Sequence, residues 1–268
     1  MLENKKEFKL ISKKNPRSLL PNTLTIFGVC LGLSSIKFAL DTNYAMSVVA
    51  IGFAAVLDTL DGRVARLIKG TSKVGKELDS LTDVISFGVA PGFIMYFWTL
   101  NEIGKFGWMF VLIYTVCCAL RLARFNLTTI EENETWKINF FEGVPSPAAA
   151  GMVLMPLLLS LSGLIEFENY AVLSSIIIII TSILMVSKLP TYSLKRILIP
   201  RHLAIFLLLG IGIYVSLLIF YTFKTLFFSG LTYLVLIPIS YFHYKHKTKT
   251  SSIAISEEEA EAEAEDVL

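Results

Sequence analysis

Charge is what this sequence has least of. Only 17% of its 268 residues are Asp, Glu, Lys or Arg, where soluble globular proteins run near a quarter. Cysteine is scarce as well. Cys30, Cys117 and Cys118 are the only three, and no Cys-x-x-Cys spacing exists. That excludes a disulfide-stapled scaffold, and the three read as small packing residues rather than zinc ligands. The histidines, His202, His243 and His246, sit near the ends of apolar runs and read as interfacial side chains. What fills the chain is apolar: 54% of residues are hydrophobic and mean hydropathy is +0.65. Disorder is thereby excluded for most of the length. A polytopic membrane protein is expected, with lipid around it and no nucleic-acid partner.

Crossing a hydrocarbon core of about 30 Å takes roughly 20 apolar residues in a helix. Eight stretches qualify, at 19–40, 44–68, 77–100, 106–125, 144–164, 170–186, 204–223 and 227–242. They are continuously apolar, without the alternation of a barrel strand, so helices are expected. Pro238 makes the eighth the weakest. The expected fold is therefore all-α: a membrane bundle of about eight helices, with both termini on one side.

Lys and Arg choose that side. All but Lys37, Lys105 and Lys224 of the 24 Lys and Arg fall before the first span, after the last, or in alternate loops. The positive-inside rule makes these faces, and both termini, cytoplasmic. No cleavable signal peptide is evident in the first apolar run. Residues 1–17 mix Lys with Leu2, Phe8, Leu10 and Ile11. They suit either an interfacial helix on anionic lipid or a solvated basic tail. The Glu/Ala run at 256–266 reads as a solvated or disordered acidic tail.

Against this background four carboxylates stand out. Asp58 and Asp61 lie near the end of the second span; Asp79 and Asp83 open the third. A carboxylate at mid-bilayer costs about 2.5–3.5 kcal/mol even on the lenient insertion scale, so these four need compensation. At 100° per residue, Asp58, Asp61 and Ala65 fall within about 60° of one helix face, with Gly62 at its border. Asp79 and Asp83 share a face of the next helix, with Gly75 four residues earlier. Two antiparallel helices would thus aim four carboxylates at one point, left open by residues with little side chain. Oxygen ligands without His or Cys suit Mg²⁺ or Mn²⁺, and Arg66, with Lys69 and Lys73, offers positive charge to phosphate. An interhelical Asp–Arg/Lys network and a cation-transport site are the competing readings of the same residues.

The run Asp58-Thr-Leu-Asp61-Gly62-Arg-Val-Ala65-Arg66, followed after eight residues by Gly75-Lys-Glu-Leu-Asp79-Ser-Leu-Thr-Asp83, resembles the signature of the CDP-alcohol phosphotransferases. The resemblance implies integral membrane enzymes with a six-helix core, which transfer a phosphatidyl or related group from a CDP-linked donor to an alcohol and release CMP. On that pattern the catalytic core spans 18–200, two further spans occupy 201–244, and 245–268 is the tail. Asp58, Asp61, Asp79 and Asp83 become metal ligands, and Asp83 also the general base. Gly62, Ala65, Arg66 and Gly75 become donor-binding residues. Pro21-Asn22-Thr-Leu-Thr25 resembles a family element lining the nucleotide site, which adds Pro21, Asn22 and Thr25. A homodimer in the cell or inner membrane is a further implication.

The acid signature does not choose the alcohol. Asp79-Ser80 with Ser86-Phe87-Gly88-Val-Ala-Pro91, Arg121-Leu-Ala-Arg124-Phe125-Asn126, Gly143-Val-Pro145-Ser-Pro147-Ala and Leu184-Met-Val-Ser187 resemble the phosphatidylserine synthase branch. This implies CDP-diacylglycerol and L-serine as substrates, with Arg121, Arg124 and Asn126 at the acceptor. From the residues themselves, Arg121 and Arg124 lie three apart at one helix end and suit an amino acid's carboxylate. A positive-inside anchor or a lipid-phosphate contact suits them too. Glycerol 3-phosphate, inositol or choline as acceptor, and a cation-coupled transporter, are the remaining alternatives.

Overall fold

A computed structural model describes residues 19–68, 73–127, 140–192 and 204–265. The basic segment 1–17 and Lys69 lie outside these residues. The chain folds as an all-α bundle with one two-stranded ribbon.

Helices α1 (Leu19–Leu40) and α2 (Tyr44–Leu67) form an antiparallel hairpin, the most extensively packed helix pair among the described residues. Its turn is fixed locally. The Asn43 side chain accepts the Met46 N–H at 3.2 Å, capping α2, and Lys37 pairs with Asp41 one turn back. The third span is one continuous helical path with a change of pitch: α3 (Lys73–Asp83), a π-helix over Val84–Val89, then α4 (Ala90–Trp98). Three side chains hold the widened turn. Tyr114, fully buried, donates to the Phe87 carbonyl at 2.6 Å, Thr115 reaches the Gly88 carbonyl at 3.4 Å, and Ser86 reaches the Gly28 carbonyl at 3.3 Å. Helix α1 can approach this turn only because residue 32 is glycine. A Cβ there would stand 2.5 Å from Ser86 Oγ and 3.0 Å from Ser86 Cα.

A 3₁₀ turn (Leu100–Ile103) leads into α5 (Lys105–Leu127). Strand β1 (Phe140–Glu142) pairs antiparallel with β2 (Pro190–Tyr192), Phe141 opposite Thr191. Gly143 follows with φ +72°, and a Cβ there would lie 2.5 Å from the Met185 carbonyl, so the turn takes no other residue without strain. Then come α6 (Ser146–Val153), α7 (Met155–Ser162), α8 (Tyr170–Val186), α9 (Ala204–Phe220) and α10 (Thr222–Glu265).

Five of these paths are long and apolar enough to cross a membrane: Leu20–Leu40, Tyr44–Leu67, Val74–Trp98, Lys105–Leu127 and Thr222–Lys245. Tyr170–Val186 and Ala204–Phe220 are apolar but shorter. Three expectations change in detail. The span at 144–164 is two short helices meeting at Leu154, because Pro156 has no N–H to give the Met152 carbonyl. The span judged weakest is the longest helix described: α10 continues through Pro238. Its backbone also stays helical to Glu265, through the segment expected as a loose acidic tail, in keeping with the high helix propensity of Ala and Glu.

The core gathers where α4, α5, α6 and α8 meet, around Phe87, Ile94, Met95, Tyr114, Cys118, Val153 and Ile178. Large apolar side chains cover the outside instead of polar ones, and α9 has no buried residue at all, as a lipid-facing surface requires. Aromatic rings cluster at one end: Phe93 and Tyr96 against Trp108, and Trp98 against Tyr170. Such belts sit at the membrane–water boundary. The start of α1, the end of α2 and the start of α3 lie at the opposite end.

Candidate active site

That opposite end holds a cleft of about 230 Å³. The start of α1 supplies Pro21, Asn22 and Thr25; the end of α2 supplies Asp61, Gly62, Ala65 and Arg66; the start of α3 supplies Gly75, Lys76 and Asp79. All seven residues expected at the donor line this single cleft. Gly62 keeps it open, for nothing lies within 4 Å of where its Cβ would be. Arg66 and Lys76 place two exposed cations at the mouth.

Carboxylates form the inner wall. One oxygen each from Asp58, Asp61 and Asp79 converge within 4.8 Å of one another. Helical spacing brings Asp58 and Asp61 onto one side of α2, and packing against α1 and α3 turns that side inward. Asp61 is 4% exposed and accepts a 2.7 Å hydrogen bond from Thr25 Oγ1. Three oxygen donors at this separation fit one hard divalent cation, and no nitrogen or sulfur ligand joins them. Asp83, the fourth expected ligand, stands one turn deeper. It lies within hydrogen-bonding reach of Asp58, while its Oδ1 is buried with no partner.

Beyond Asp83 the polar path continues to Arg121, only 7% exposed, which Asp83 faces electrostatically. Arg121 Nη1 donates to Ser146 Oγ at 2.8 Å, and its guanidinium carbon lies 5.9 Å from the centre of the Phe125 ring. Arg124 is placed differently. Its Nη1 and Nη2 donate to the Val186 and Ser187 carbonyls at 2.9 and 3.2 Å, closing the C-terminal end of α8 as a basic side chain does well. Asn126 Nδ2 donates to Ser80 Oγ at 2.8 Å, tying the end of α5 to α3. Of the three residues expected at the acceptor, Arg121 reaches the carboxylate site, while Arg124 and Asn126 hold helices around it.

Two residues of this constellation were not singled out from sequence. Lys76 lines the cleft; its neighbour Gly75 in the acid signature was the available signal. Ser146, fully buried, orients Arg121, and it lies inside the Gly143–Pro147 segment otherwise readable as a plain turn.

Sequence comparison agrees with this geometry. A family model described as CDP-alcohol phosphatidyltransferase matches residues 18–189. Three bacterial relatives each carry the name CDP-diacylglycerol–serine O-phosphatidyltransferase. The Mycobacterium leprae protein is 35% identical over 223 residues, 83% of this chain and 74% of the relative. The Helicobacter pylori protein (strain 26695) is 38% identical over 183 residues, 68% and 76% of the two chains. The Bacillus subtilis protein is 34% identical over 177 residues, 66% and 92%.

Proposed function

The chain belongs to the CDP-alcohol phosphatidyltransferase family, and from that premise we propose that it transfers the phosphatidyl group of CDP-diacylglycerol to the hydroxyl of L-serine, releasing CMP. The observation that carries the reading is the convergence of Asp58, Asp61 and Asp79 on the wall of a cleft whose mouth holds Arg66 and Lys76. The names of the relatives support serine as the acceptor.

The residues divide the work by position. Pro21, Asn22, Gly62, Ala65 and Gly75 shape a cleft for the cytidine diphosphate, and Arg66 and Lys76 offset its negative charge. Asp58, Asp61 and Asp79 hold Mg²⁺ or Mn²⁺, with Asp83 adjoining Asp58. When bound, the ion neutralises the diphosphate and makes CMP a better leaving group. Asp83, deeper than the other three, accepts the proton of the serine hydroxyl, because a protonated alcohol is a poor nucleophile. The serine oxygen then bonds to the phosphorus carrying diacylglycerol, the bond from that phosphorus to the CMP oxygen breaks, and CMP departs with the electron pair. Direct displacement is preferred to a covalent phosphatidyl intermediate, since no further nucleophile adjoins Asp83 among the described side-chain contacts. The excess of Lys and Arg in alternate loops places the cleft and both termini on the cytoplasmic face.

The test is CMP release by the purified enzyme with CDP-diacylglycerol and Mn²⁺, offering L-serine, glycerol 3-phosphate, inositol or choline one at a time. Release with L-serine alone is the expected result. Release with another acceptor in its place would overturn the substrate assignment, and ion flux in liposomes without CMP release would overturn the enzyme reading.

A further inference from the structure

Asp83 Oδ1, Arg121 Nε and the Tyr233 hydroxyl are all buried, and none has a hydrogen-bond partner. More than about 90% of buried polar groups are satisfied, so three unsatisfied atoms in one neighbourhood mark a place that a polar ligand completes. They are neighbours: Arg121 is in electrostatic contact with Asp83 and with Tyr233. One nitrogen of the guanidinium is committed to Ser146, which fixes the group and leaves Nε–H pointing elsewhere. Tyr233 stands beside Thr191, but the Thr191 hydroxyl donates to the Gly143 carbonyl at 2.8 Å, and the phenol completes no bond of good geometry.

Tyr233 is carried by α10, which packs on α6, α7 and β2. That helix lies wholly outside residues 18–189, the part matched to the family. The site therefore draws one wall from a helix that the shared core does not contain. Its chemistry is asymmetric: two donors, Nε–H and phenol O–H, on one side, and an acceptor carboxylate on the other. A small molecule bearing both a carboxylate and a hydroxyl complements it.

We infer that Tyr233 is an acceptor-binding residue whose hydroxyl, together with Arg121 Nε–H, donates to the carboxylate of an amino-acid acceptor while that acceptor's own hydroxyl faces Asp83. The inference rests on the amino-acid reading of the acceptor and adds to it a specificity contact from outside the family core.

The experiment uses the full-length enzyme in detergent with CDP-diacylglycerol and Mn²⁺, comparing L-serine with L-serinamide, which lacks the carboxylate. Tyr233→Phe is expected to raise KM for L-serine about tenfold, as loss of one hydrogen bond to a charged group does, with KM for CDP-diacylglycerol unchanged. The preference for L-serine over L-serinamide in kcat/KM should fall by a similar factor. Tyr233→His, which keeps a ring donor, should recover part of it. Tyr233→Leu gives the same ratio should the Phe protein not fold. An unchanged ratio with serine activity retained overturns the role of Tyr233 alone, as does an equal rise in both KM values. Wild-type enzyme that releases no CMP with L-serine overturns the acceptor assignment and this inference together.

Discussion

Thr25 on α1 and Asp61 on α2 are joined by a 2.7 Å hydrogen bond, with the hydroxyl donating to Asp61 Oδ2. The same hydroxyl also lies 3.0 Å from the Pro21 carbonyl. It has a single proton, and the charged, closer acceptor takes it. This bond locks one carboxylate of the converging trio to the helix that supplies the nucleotide side of the cleft. Thr25→Val removes a hydrogen bond to a charged group, about 1.5–3 kcal/mol. We expect the Mn²⁺ concentration for half-maximal CMP release to rise about tenfold or more. Thr25→Ser should restore it, and an unshifted metal titration would show that Asp61 is oriented without Thr25.

Asp58 and Asp83 are neighbours with different duties. Asp58 belongs to the converging trio, whereas Asp83 lies deeper toward Arg121. Asp83→Asn should abolish turnover yet keep appreciable CDP-diacylglycerol binding. Asp58→Asn should lose both. Equal loss of donor binding in the two variants, measured by equilibrium binding of the CDP-lipid, would argue against a base role for Asp83.

Arg121 and Arg124 should separate in the same way. Arg121→Ala is expected to raise KM for L-serine more than KM for CDP-diacylglycerol, because Arg121 faces Asp83 from inside the bundle. Arg124→Ala removes two bonds to the carbonyls ending α8. Its expected effect is a loss of about 1–3 kcal/mol in stability, read as a lower Tm in detergent. A serine-specific KM effect of Arg124→Ala with unchanged Tm would return it to the acceptor.

Lys76 supplies an exposed cation to the cleft mouth. Lys76→Ala should raise KM for CDP-diacylglycerol several-fold, an effect of up to about 1 kcal/mol for an exposed ion contact. It should be weaker at high salt. KM for L-serine should not move.

Tyr114 donates to the Phe87 carbonyl inside the π-helix and is fully buried. Tyr114→Phe leaves that carbonyl without its partner at a cost of about 1–3 kcal/mol. The expected readout is a lowered Tm, and a wild-type Tm would mean that the widened turn needs no capture.

Much of the site was legible because it is written in short periods. Three- and four-residue spacing put Asp58 with Asp61 and Asp79 with Asp83, and the glycines and Ala65 announced an opening that the cleft confirms. Apolar length announced the helices. What stayed hidden depends on partners distant in sequence. Arg121 and Arg124 lie only about 60° apart around α5, yet one meets Ser146 and the other the end of α8. Lys76 counted only as one more cytoplasmic charge until the fold turned it into the cleft. The π-helix is no property of its own sequence: Tyr114, 27 residues away, captures one of its carbonyls. The break at Leu154 was readable from Pro156, but continuity through Pro238 was not, since a proline's local cost does not say whether packing on α6 and α7 outweighs it.

The π-helix has a consequence for how this protein tolerates change in length. An α-helix advances 100° per residue, so the extra residue in the widened turn rotates everything after it by about that amount relative to everything before it. Asp79 and Asp83 face the reaction cleft on one side of the turn, while Ile94 and Met95 face the core on the other. Removing one residue from Val84–Val89 would restore an ordinary helix and force one of these faces to abandon its place. Substitution within the turn, by contrast, leaves the phase intact. Between Asp83 and Ala90 the spacing is therefore more constrained than the letters, and single-residue deletions there should be excluded among functional variants even where replacements are not.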